Sequence, residues 1–185
     1  MIQPRSPSHL LSRESLVRPL PWLWLPLWLA AALIAIFQHG PMPMYSTRTL
    51  SVAWEMWLHH SMLVPYLNGL PYSDKPPLLL WLIQSGWAVA GVNDVWPRLL
   101  EVLLGAIQLV LAWRLARKLF PQDVRIAHAT AWILLAFTYG FLFGLQVMYE
   151  VLLADCVLAA LLCLAPAAHG EAPRFGGFLL ARAAA

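Results

Sequence analysis

Charged residues are scarce in this chain of 185 residues. Asp, Glu, Lys and Arg together make up 11% of it, whereas 61% of the residues are hydrophobic and the mean hydropathy is +0.66. An ordinary soluble domain carries roughly a quarter charged residues, because a small fold keeps much of its surface in water. The shortage of charge therefore excludes an ordinary soluble domain and predicts an all-α integral membrane protein.

Cysteine is also scarce, and its placement excludes a disulfide. The two cysteines, Cys156 and Cys163, lie in one apolar run. On a helix their Cα atoms would be ~10 Å apart, which is beyond the reach of a disulfide. We expect both to be packing residues.

Basic residues slightly outnumber acidic ones, but their positions do not indicate a nucleic-acid partner. The net charge is +3, and Lys and Arg lie at the ends of apolar runs, at Arg5, Arg13, Arg18, Arg114, Arg117, Lys118 and Arg125. This placement is typical of membrane topology, in which cytoplasmic loops are rich in Lys and Arg. We therefore expect membrane lipids, and no nucleic acid, as partners.

The first apolar run predicts a spanning helix. No charged residue occurs between Pro19 and Thr47, and Arg13 and Arg18 precede that stretch. We predict a cytoplasmic N-terminus at 1–18 and a transmembrane helix at 19–38. A cleaved signal peptide is the alternative, although its apolar region is normally ~7–15 residues long and is followed by small residues.

The next segment, 39–95, is predicted to be a periplasmic loop that carries two interfacial helices. In the first helix, about 48–61, apolar residues share one face and polar residues the opposite one. The apolar face holds Leu50, Ala53, Trp54, Trp57 and Leu58, and the polar face holds Ser51, Glu55 and His59. The second helix, about 76–90, would be ~22 Å long, which is short of the ~30 Å hydrocarbon core.

Further transmembrane helices are predicted at 96–114, 126–143 and 146–166, which makes about four in total. The connection 115–125 and the tail 167–185 then lie in the cytoplasm, in agreement with the positive-inside tendency. The ionisable residues assigned to the other side are Arg48, Glu55, Asp74, Lys75, Asp94, Arg98, Glu101, Glu150 and Asp155. Such groups tend to mark function, although charges at helix ends also serve as interface anchors.

An ordered series of motifs carries a family resemblance over roughly residues 45–164. The motifs are TRTLSVAWEMW at 47–57, LVPYLNGLPY at 63–72, DKPPL at 74–78, GVND at 91–94, WPRL at 96–99, RLARKLF at 114–120 and VMYEVLL at 147–153. In this order they closely resemble the N-terminal portion of the bacterial protein-mannosyltransferase-like, or aminoarabinose (lipid A) transferase-like, GT-C glycosyltransferases.

The resemblance implies a GT-C-like helical bundle in the bacterial inner membrane, with two interfacial helices after the first span. It implies transfer of a sugar from an undecaprenyl-phosphate carrier to lipid A or to a protein hydroxyl on the periplasmic face. Members of the family are several times larger, so we expect this chain to be a truncated N-terminal portion.

The chemistry of such a transfer suggests roles for individual residues. Cations stabilise the leaving phosphate, and we expect Arg48, Lys75 and Arg98 to bind it. The resemblance implies that Asp74 helps to hold a divalent metal ion. Helix capping is the alternative for Asp74, and snorkelling to the interface is the alternative for Lys75.

The acidic pair that the family carries just before Thr47 is missing, because Tyr45 and Ser46 occupy its place. Neither side chain is a carboxylate base at neutral pH. Glu55 and Glu150 are our candidate catalytic carboxylates, with Asp74 as a third candidate. Otherwise this subgroup works differently, or the chain is inactive.

Other functions compete with this interpretation. The missing acidic pair is compatible with a non-catalytic small membrane subunit or an inactive remnant of such an enzyme. A transporter would carry its charges near the membrane midplane, whereas here they gather at helix ends. A metal site of His39, His59 and His60 lacks a convincing ligand spacing.

Overall fold

The computed structural model describes residues 22–38, 40, 44–137 and 146–184, and helices dominate this part of the chain. The helices are α1 (Trp24–Gln38), α2 (Ser46–Leu58), α3 (Leu78–Ala90), α4 (Val95–Leu119), α5 (Val124–Ala136), α6 (Tyr149–Leu164) and α7 (Phe175–Ala184), with a 3-10 helix at Ala165–His169. Strands β1 (Tyr66–Leu67) and β2 (Leu70–Pro71) pair antiparallel, Tyr66 opposite Pro71 and Leu67 opposite Leu70.

Helix α4 is the central element of the bundle. It has 25 residues and is therefore ~37 Å long, more than the ~30 Å hydrocarbon core. Within the described residues, α4 and the continuous segment Tyr149–His169 are long and apolar enough to cross a membrane, while α1, α3, α5 and α7 are apolar but shorter. The result is a membrane bundle that is helical, in its described part, apart from the short β1–β2 hairpin, in agreement with the predicted all-α class.

The helix ends differ from the predicted spans by several residues. Helix α4 continues to Leu119 rather than ending at 114, because Arg117 and Lys118 are good helix formers and suit the negative end of a helix dipole. Helix α5 begins two residues earlier than expected, after Asp123, whose side chain accepts a hydrogen bond of 2.9 Å from the Arg125 N–H. The predicted segments 1–18, 19–21 and 138–143 lie outside the described residues.

The tail, to which the sequence pattern assigned no helix, contains α7. Gly170, with φ of 76°, ends the 3-10 helix in the left-handed region and reverses the chain. The Arg174 N–H then donates to the Cys163 carbonyl at 2.9 Å. A Cβ on Gly177 would lie 2.8 Å from Cys163 Sγ, so glycine permits the close approach of α7 to α6. The tail thus runs back toward the first turn of α6.

Two apolar clusters pack around different parts of the central helix α4. The first joins α2, α3, α4 and α6 and contains Val52, Ala53, Met56, Leu79, Leu80, Ile83, Trp87, Leu100, Leu104, Val147 and Val151. The second joins α1, α4 and α5 and contains Trp24, Trp28, Leu109, Ala131 and Leu135. The first cluster supports the loop between α2 and α3, and thereby the side chains above it.

The buried face of α2 overlaps the predicted apolar face only in part: Ala53 is buried and Leu50 and Trp57 pack against the core. The buried residues are Ser46, Thr49, Val52, Ala53 and Met56. Trp54 and Leu58 are instead 42% and 55% exposed, so the helix packs on the bundle with one side and presents an apolar stripe on another. Tryptophan is enriched at membrane interfaces, and the location of Trp54 at headgroup depth stays a prediction.

Candidate functional site

A tight turn between β1 and β2 shapes the loop after α2. Asn68 and Gly69 have φ of 55° and 76°, as the central residues of a hairpin turn of the mirror-image type require. The Glu55 carboxylate accepts hydrogen bonds from the Asn68 N–H at 2.6 Å and the Gly69 N–H at 2.9 Å. The Tyr72 N–H donates to the Pro65 carbonyl at 2.8 Å. These bonds fix the start of the segment 72–75.

Arg48 extends from α2 toward this segment. Its guanidinium lies 5.1 Å from the centre of the Tyr72 ring and 3.9 Å from the Asp74 carboxylate. Both partners of the ion pair are more than half exposed, and an ion pair in that setting contributes ~0–1 kcal/mol. Arg48 is therefore oriented by its neighbours but is free to bind a stronger anion.

Lys75 connects the same segment to α6. Its Nζ lies 3.0 Å from Glu150 Oε1, in the first turn of α6, and 5.7 Å from the centre of the Tyr149 ring. The negative charge of Glu150 is favoured at a helix N-terminus. Residues 75 positions apart in the sequence thus meet across the loop.

Two neighbouring cavities share these side chains. The larger, about 330 Å³, is lined by Met44, Tyr45, Arg48, Thr49, Val52, Tyr72, Lys75, Met148, Tyr149 and Glu150. The smaller, about 240 Å³, is lined by Asp74, Lys75, Pro76, Leu78, Leu79, Tyr149, Glu150, Leu152, Leu153 and Ala184. Lys75, Tyr149 and Glu150 belong to both linings. The larger cavity is therefore the cationic and aromatic compartment, and the smaller cavity is the largely aliphatic compartment.

Tyr45 and Ser46, at the positions where the resemblance implied an acidic pair, have separate roles in the structure. Ser46 is buried, and its Oγ accepts a hydrogen bond of 3.1 Å from the Val147 N–H. This bond ties the start of α2 to the segment before α6. Tyr45 is 54% exposed and lines the larger cavity. Neither residue supplies a carboxylate to the site.

The structure brings together four of the six predicted site residues, namely Arg48, Asp74, Lys75 and Glu150. Glu55 lies outside both cavity linings, with its carboxylate engaged by the hairpin turn. Arg98 also lies outside them: its guanidinium donates to the Asp94 carboxylate at 2.8 Å and to the Ile36 carbonyl at 2.7 Å. Arg98 thus joins the start of α4 to α1 rather than reaching the cavities.

Among the described residues, Asp74 lacks the companion ligands that hold a divalent ion. Hard divalent ions require several oxygen ligands, whereas the charged neighbour of Asp74 is the Arg48 guanidinium. Within the described ranges, no three His, Cys, Asp or Glu side chains converge on one point. The divalent ion that the resemblance implies at Asp74 therefore stays a prediction.

The sequence pattern did not identify the tyrosines as site residues. Tyr72 and Tyr149 place their rings against the two cations, and with Tyr45 they line the larger cavity. Tyr72 precedes the DKPPL motif and Tyr149 precedes Glu150, so proximity to these motifs was the available signal. Their convergence depends on the packing of α2 on α6 and could not be read from spacing.

Two acidic residues are buried in the helices that support the site. Glu101 in α4 is 0% exposed and Asp155 in α6 is 6% exposed. Among the described residues, the Asp155 carboxylate oxygens have no hydrogen-bond partner, whereas the Met148 backbone interacts with the Glu101 carboxylate. Each residue lies six positions after the first residue of its helix, ~9 Å along the axis. The sequence analysis assigned both residues to the non-cytoplasmic side of the membrane but gave neither of them a role.

Comparison with known proteins gives a consistent set of matches. Residues 74–185 match the sequence model of the dolichyl-phosphate-mannose-protein mannosyltransferase family. An undecaprenyl phosphate-alpha-4-amino-4-deoxy-L-arabinose arabinosyl transferase of Pseudomonas savastanoi pv. phaseolicola is 34% identical over 122 residues, which are 66% of this chain and 22% of that protein. Its counterpart in Pseudomonas paraeruginosa is 33% identical, over 60% of this chain and 20% of that protein.

Solved structures match over most of the chain. ArnT from Cupriavidus metallidurans, in a crystal structure bound to undecaprenyl phosphate, superposes with a TM-score of 0.74 at 22% identity, covering 88% of this chain and 30% of that chain. Its apo structure gives a TM-score of 0.70 at 24% identity. These matches establish the fold. The chain spans about a fifth of the length of the curated relatives it matches.

Proposed function

Because the chain belongs to the dolichyl-phosphate-mannose-protein mannosyltransferase family, we propose that its paired cavities bind a polyprenyl-phosphate-linked sugar. The observation that carries the proposal is that Arg48, Lys75 and Glu150 line one cavity, which adjoins a second cavity with largely aliphatic walls. A phosphate fits the first compartment and the start of a prenyl chain fits the second.

The cations suit a phosphate in both ground state and transition state. Arg48 offers planar, paired N–H donors, and Lys75 offers a compact point charge. As the bond between the anomeric carbon and the phosphate oxygen breaks, its electron pair moves to the phosphate, and nearby cations stabilise the growing charge. The leaving group is thus the part of the substrate that these residues bind most strongly in the transition state.

Glu150 is the carboxylate that we propose as the general base. An acceptor hydroxyl would attack the anomeric carbon with its oxygen and pass its proton to the Glu150 carboxylate. Glu150 is held next to Lys75, so it lies close to the proposed phosphate position. Glu55 and Arg98 are assigned structural contacts instead.

The proposed reaction is transfer of the sugar to a lipid A or protein hydroxyl on the periplasmic face of the inner membrane, as part of a GT-C glycosyltransferase. The relatives' names support an undecaprenyl-phosphate carrier. The N-terminus would be cytoplasmic, in keeping with the exposed Arg114, Arg117, Lys118 and Arg125 at the other end of α4. The bilayer would then separate these residues from Lys75.

A second function, binding of the carrier without transfer, is favoured by the presence of Tyr45 and Ser46 at the positions where the family resemblance implies an acidic pair. A chain with this function would bind the lipid-linked sugar but would leave it intact in the presence of an acceptor. Release of the carrier phosphate in a radiolabelled transfer assay would exclude that function.

Binding of decaprenyl phosphate to the whole chain in lipid nanodiscs tests the proposal. We expect Arg48→Ala and Lys75→Ala each to weaken binding by about 10-fold or more, since a hydrogen bond to a charged group contributes ~1.5–3 kcal/mol. Arg125→Ala, which removes an exposed cation at the opposite end of the bundle, is the matched control and should leave binding unchanged. Equal affinity in all four proteins would contradict the proposal.

A further inference from the structure

Tyr149 carries a buried polar group to which the proposed function gives no role. Its ring packs against the first apolar cluster, at the start of α6, and it belongs to the linings of both cavities. Among the described residues, the buried hydroxyl of Tyr149 has no hydrogen-bond partner. Buried polar groups in folded proteins are nearly always hydrogen-bonded, so an unpartnered hydroxyl beside a binding cavity indicates a donor for a ligand.

The Tyr149 side chain lies close to both cations of the site. The Lys75 ammonium is 5.7 Å from the centre of the tyrosine ring. Arg48, Tyr72 and Glu150 are close enough to the tyrosine to interact with it electrostatically. Because Arg48, Lys75 and Tyr149 line the same cavity, a phosphate that both cations bind would lie near the Tyr149 hydroxyl.

Arg48 is the neighbour of Tyr149 that a phosphate would displace most easily. Its side chain is 55% exposed, and its ion pair with Asp74 is long, at 3.9 Å. An exposed ion pair is weak, whereas a guanidinium binds a phosphate through two short, charge-assisted hydrogen bonds. Movement of Arg48 onto the phosphate would therefore open the surroundings of the Tyr149 hydroxyl to the same ligand.

We propose that the Tyr149 hydroxyl donates a hydrogen bond to a phosphate oxygen of the carrier, as a third phosphate-binding group beside Arg48 and Lys75. The proposal rests on the proposed function, because the phosphate is that of the proposed carrier. The phenol keeps its proton, so it adds a donor without changing the charge of the site. Its hydrogen bond becomes stronger as negative charge grows on the phosphate oxygens during transfer.

Tyr149→Phe tests the proposal, because it removes the hydroxyl and keeps the ring. Decaprenyl phosphate and the uncharged alcohol decaprenol are each titrated onto the whole chain in lipid nanodiscs. We expect the variant to bind decaprenyl phosphate about 10-fold more weakly than the wild type does, and to bind decaprenol equally well. Tyr66→Phe is the matched control: Tyr66 packs on His59, outside both cavity linings, and its loss of a hydroxyl should leave both affinities unchanged.

Two results would overturn the proposal. The first is equal affinity of Tyr149→Phe and the wild type for decaprenyl phosphate. The second is the same loss of affinity for decaprenyl phosphate and decaprenol, because it would show that the hydroxyl affects packing and not the phosphate. A wild-type chain that binds decaprenyl phosphate no better than decaprenol would instead contradict the proposed function.

The same substitution in a Glu150→Gln background separates a direct bond to the phosphate from an effect through the neighbouring carboxylate. A hydroxyl that acted by orienting Glu150 would lose its effect once the carboxylate is gone. A hydroxyl that binds the phosphate directly should still contribute about 10-fold in this background. Disappearance of the loss in the double variant would therefore overturn the direct bond.

Discussion

Lys75 is the charged residue that lies between the two compartments of the site. Its ammonium contacts the Glu150 carboxylate and the Tyr149 ring at once, and it lines both cavities. A phosphate that enters the larger cavity must compete with Glu150 for the same ammonium. The ion pair is partly exposed, at 38% for Lys75 and 54% for Glu150. Because an exposed ion pair is weak, a phosphate can compete with Glu150 for Lys75.

Glu150→Gln should tighten the binding of decaprenyl phosphate by up to about 5-fold. The substitution removes the carboxylate that competes for Lys75, and exposed ion pairs contribute ~0.2–1 kcal/mol. Native mass spectrometry or fluorescence titration in nanodiscs measures the change. Glu171→Gln, which neutralises an exposed acid between the 3-10 helix and α7, is the control. Weaker binding by the Glu150 variant would show that the carboxylate supports phosphate binding instead of opposing it.

The contrast between Glu55 and Glu150 shows how far single residues can be interpreted from sequence. Both were candidate bases, because both are acidic and lie in the recognisable motifs. The Asn68-Gly69 turn was also predictable from its residue types. That its amides are bound by a carboxylate 13 residues earlier depends on how the loop folds over α2, and no local pattern encodes that geometry.

Helices α3 and α4 are joined by close packing at a glycine. The Trp96 indole lies against Gly86, where a Cβ would overlap the ring, and its Nε1–H donates to the Leu82 carbonyl at 3.1 Å. The Trp96 N–H in turn donates to Asn93 Oδ1 at 2.8 Å. This joint fixes α3 relative to the central helix, and α3 carries Leu78 and Leu79 into the smaller cavity.

Gly86→Ala should lower the free energy of unfolding by about 1–3 kcal/mol, the usual cost of inserting atoms into a packed interior. The matched control is Gly176→Ala in α7, where no atom lies within 4 Å of the added Cβ. Alanine favours a helix over glycine by ~1 kcal/mol, so the control should be neutral or stabilising. Thermal unfolding in detergent compares the two. Equal stability of both variants would mean that the Trp96 contact is not formed.

At the level of helices, periodicity and charge predicted where most helices occur, but they predicted the helix boundaries less well. The short α3 and the amphipathic α2 occur where the sequence pattern placed interfacial helices. Helix α7 was not predicted, because a ten-residue apolar stretch after a proline-containing segment gives no strong period. The buried face of α2 could not be predicted either, since membrane lipid and protein both favour apolar residues, and only packing distinguishes the two.

In the part of the chain that the structure describes, two groups of charged side chains lie at different ends of the bundle. Arg48, Lys75 and their carboxylate partners lie beside the first turn of α6. Arg114, Arg117, Lys118 and Arg125 are exposed around the end of α4 and the start of α5. Lys118 lies 23 residues after the first residue of α4, ~34 Å along its axis. A lipid phosphate could be attracted electrostatically to either end.

The structure favours the first end for a specific carrier, because there two cations line cavities that also have aliphatic walls. The second end offers exposed cations that suit anionic lipid headgroups in general. The side chains that line these cavities come from α2, α3, α6, α7 and the segments next to them.

Photo-crosslinking with a prenyl phosphate that carries a diazirine in its first isoprene unit tests this choice most directly. Peptide mapping of the whole chain should find adducts in the segments that line the two cavities, 44–52, 72–79 and 148–153. An excess of unlabelled decaprenyl phosphate should suppress them. Adducts confined to 114–125, or adducts at 44–52, 72–79 and 148–153 that the unlabelled ligand does not suppress, would contradict a carrier-phosphate site at Arg48 and Lys75.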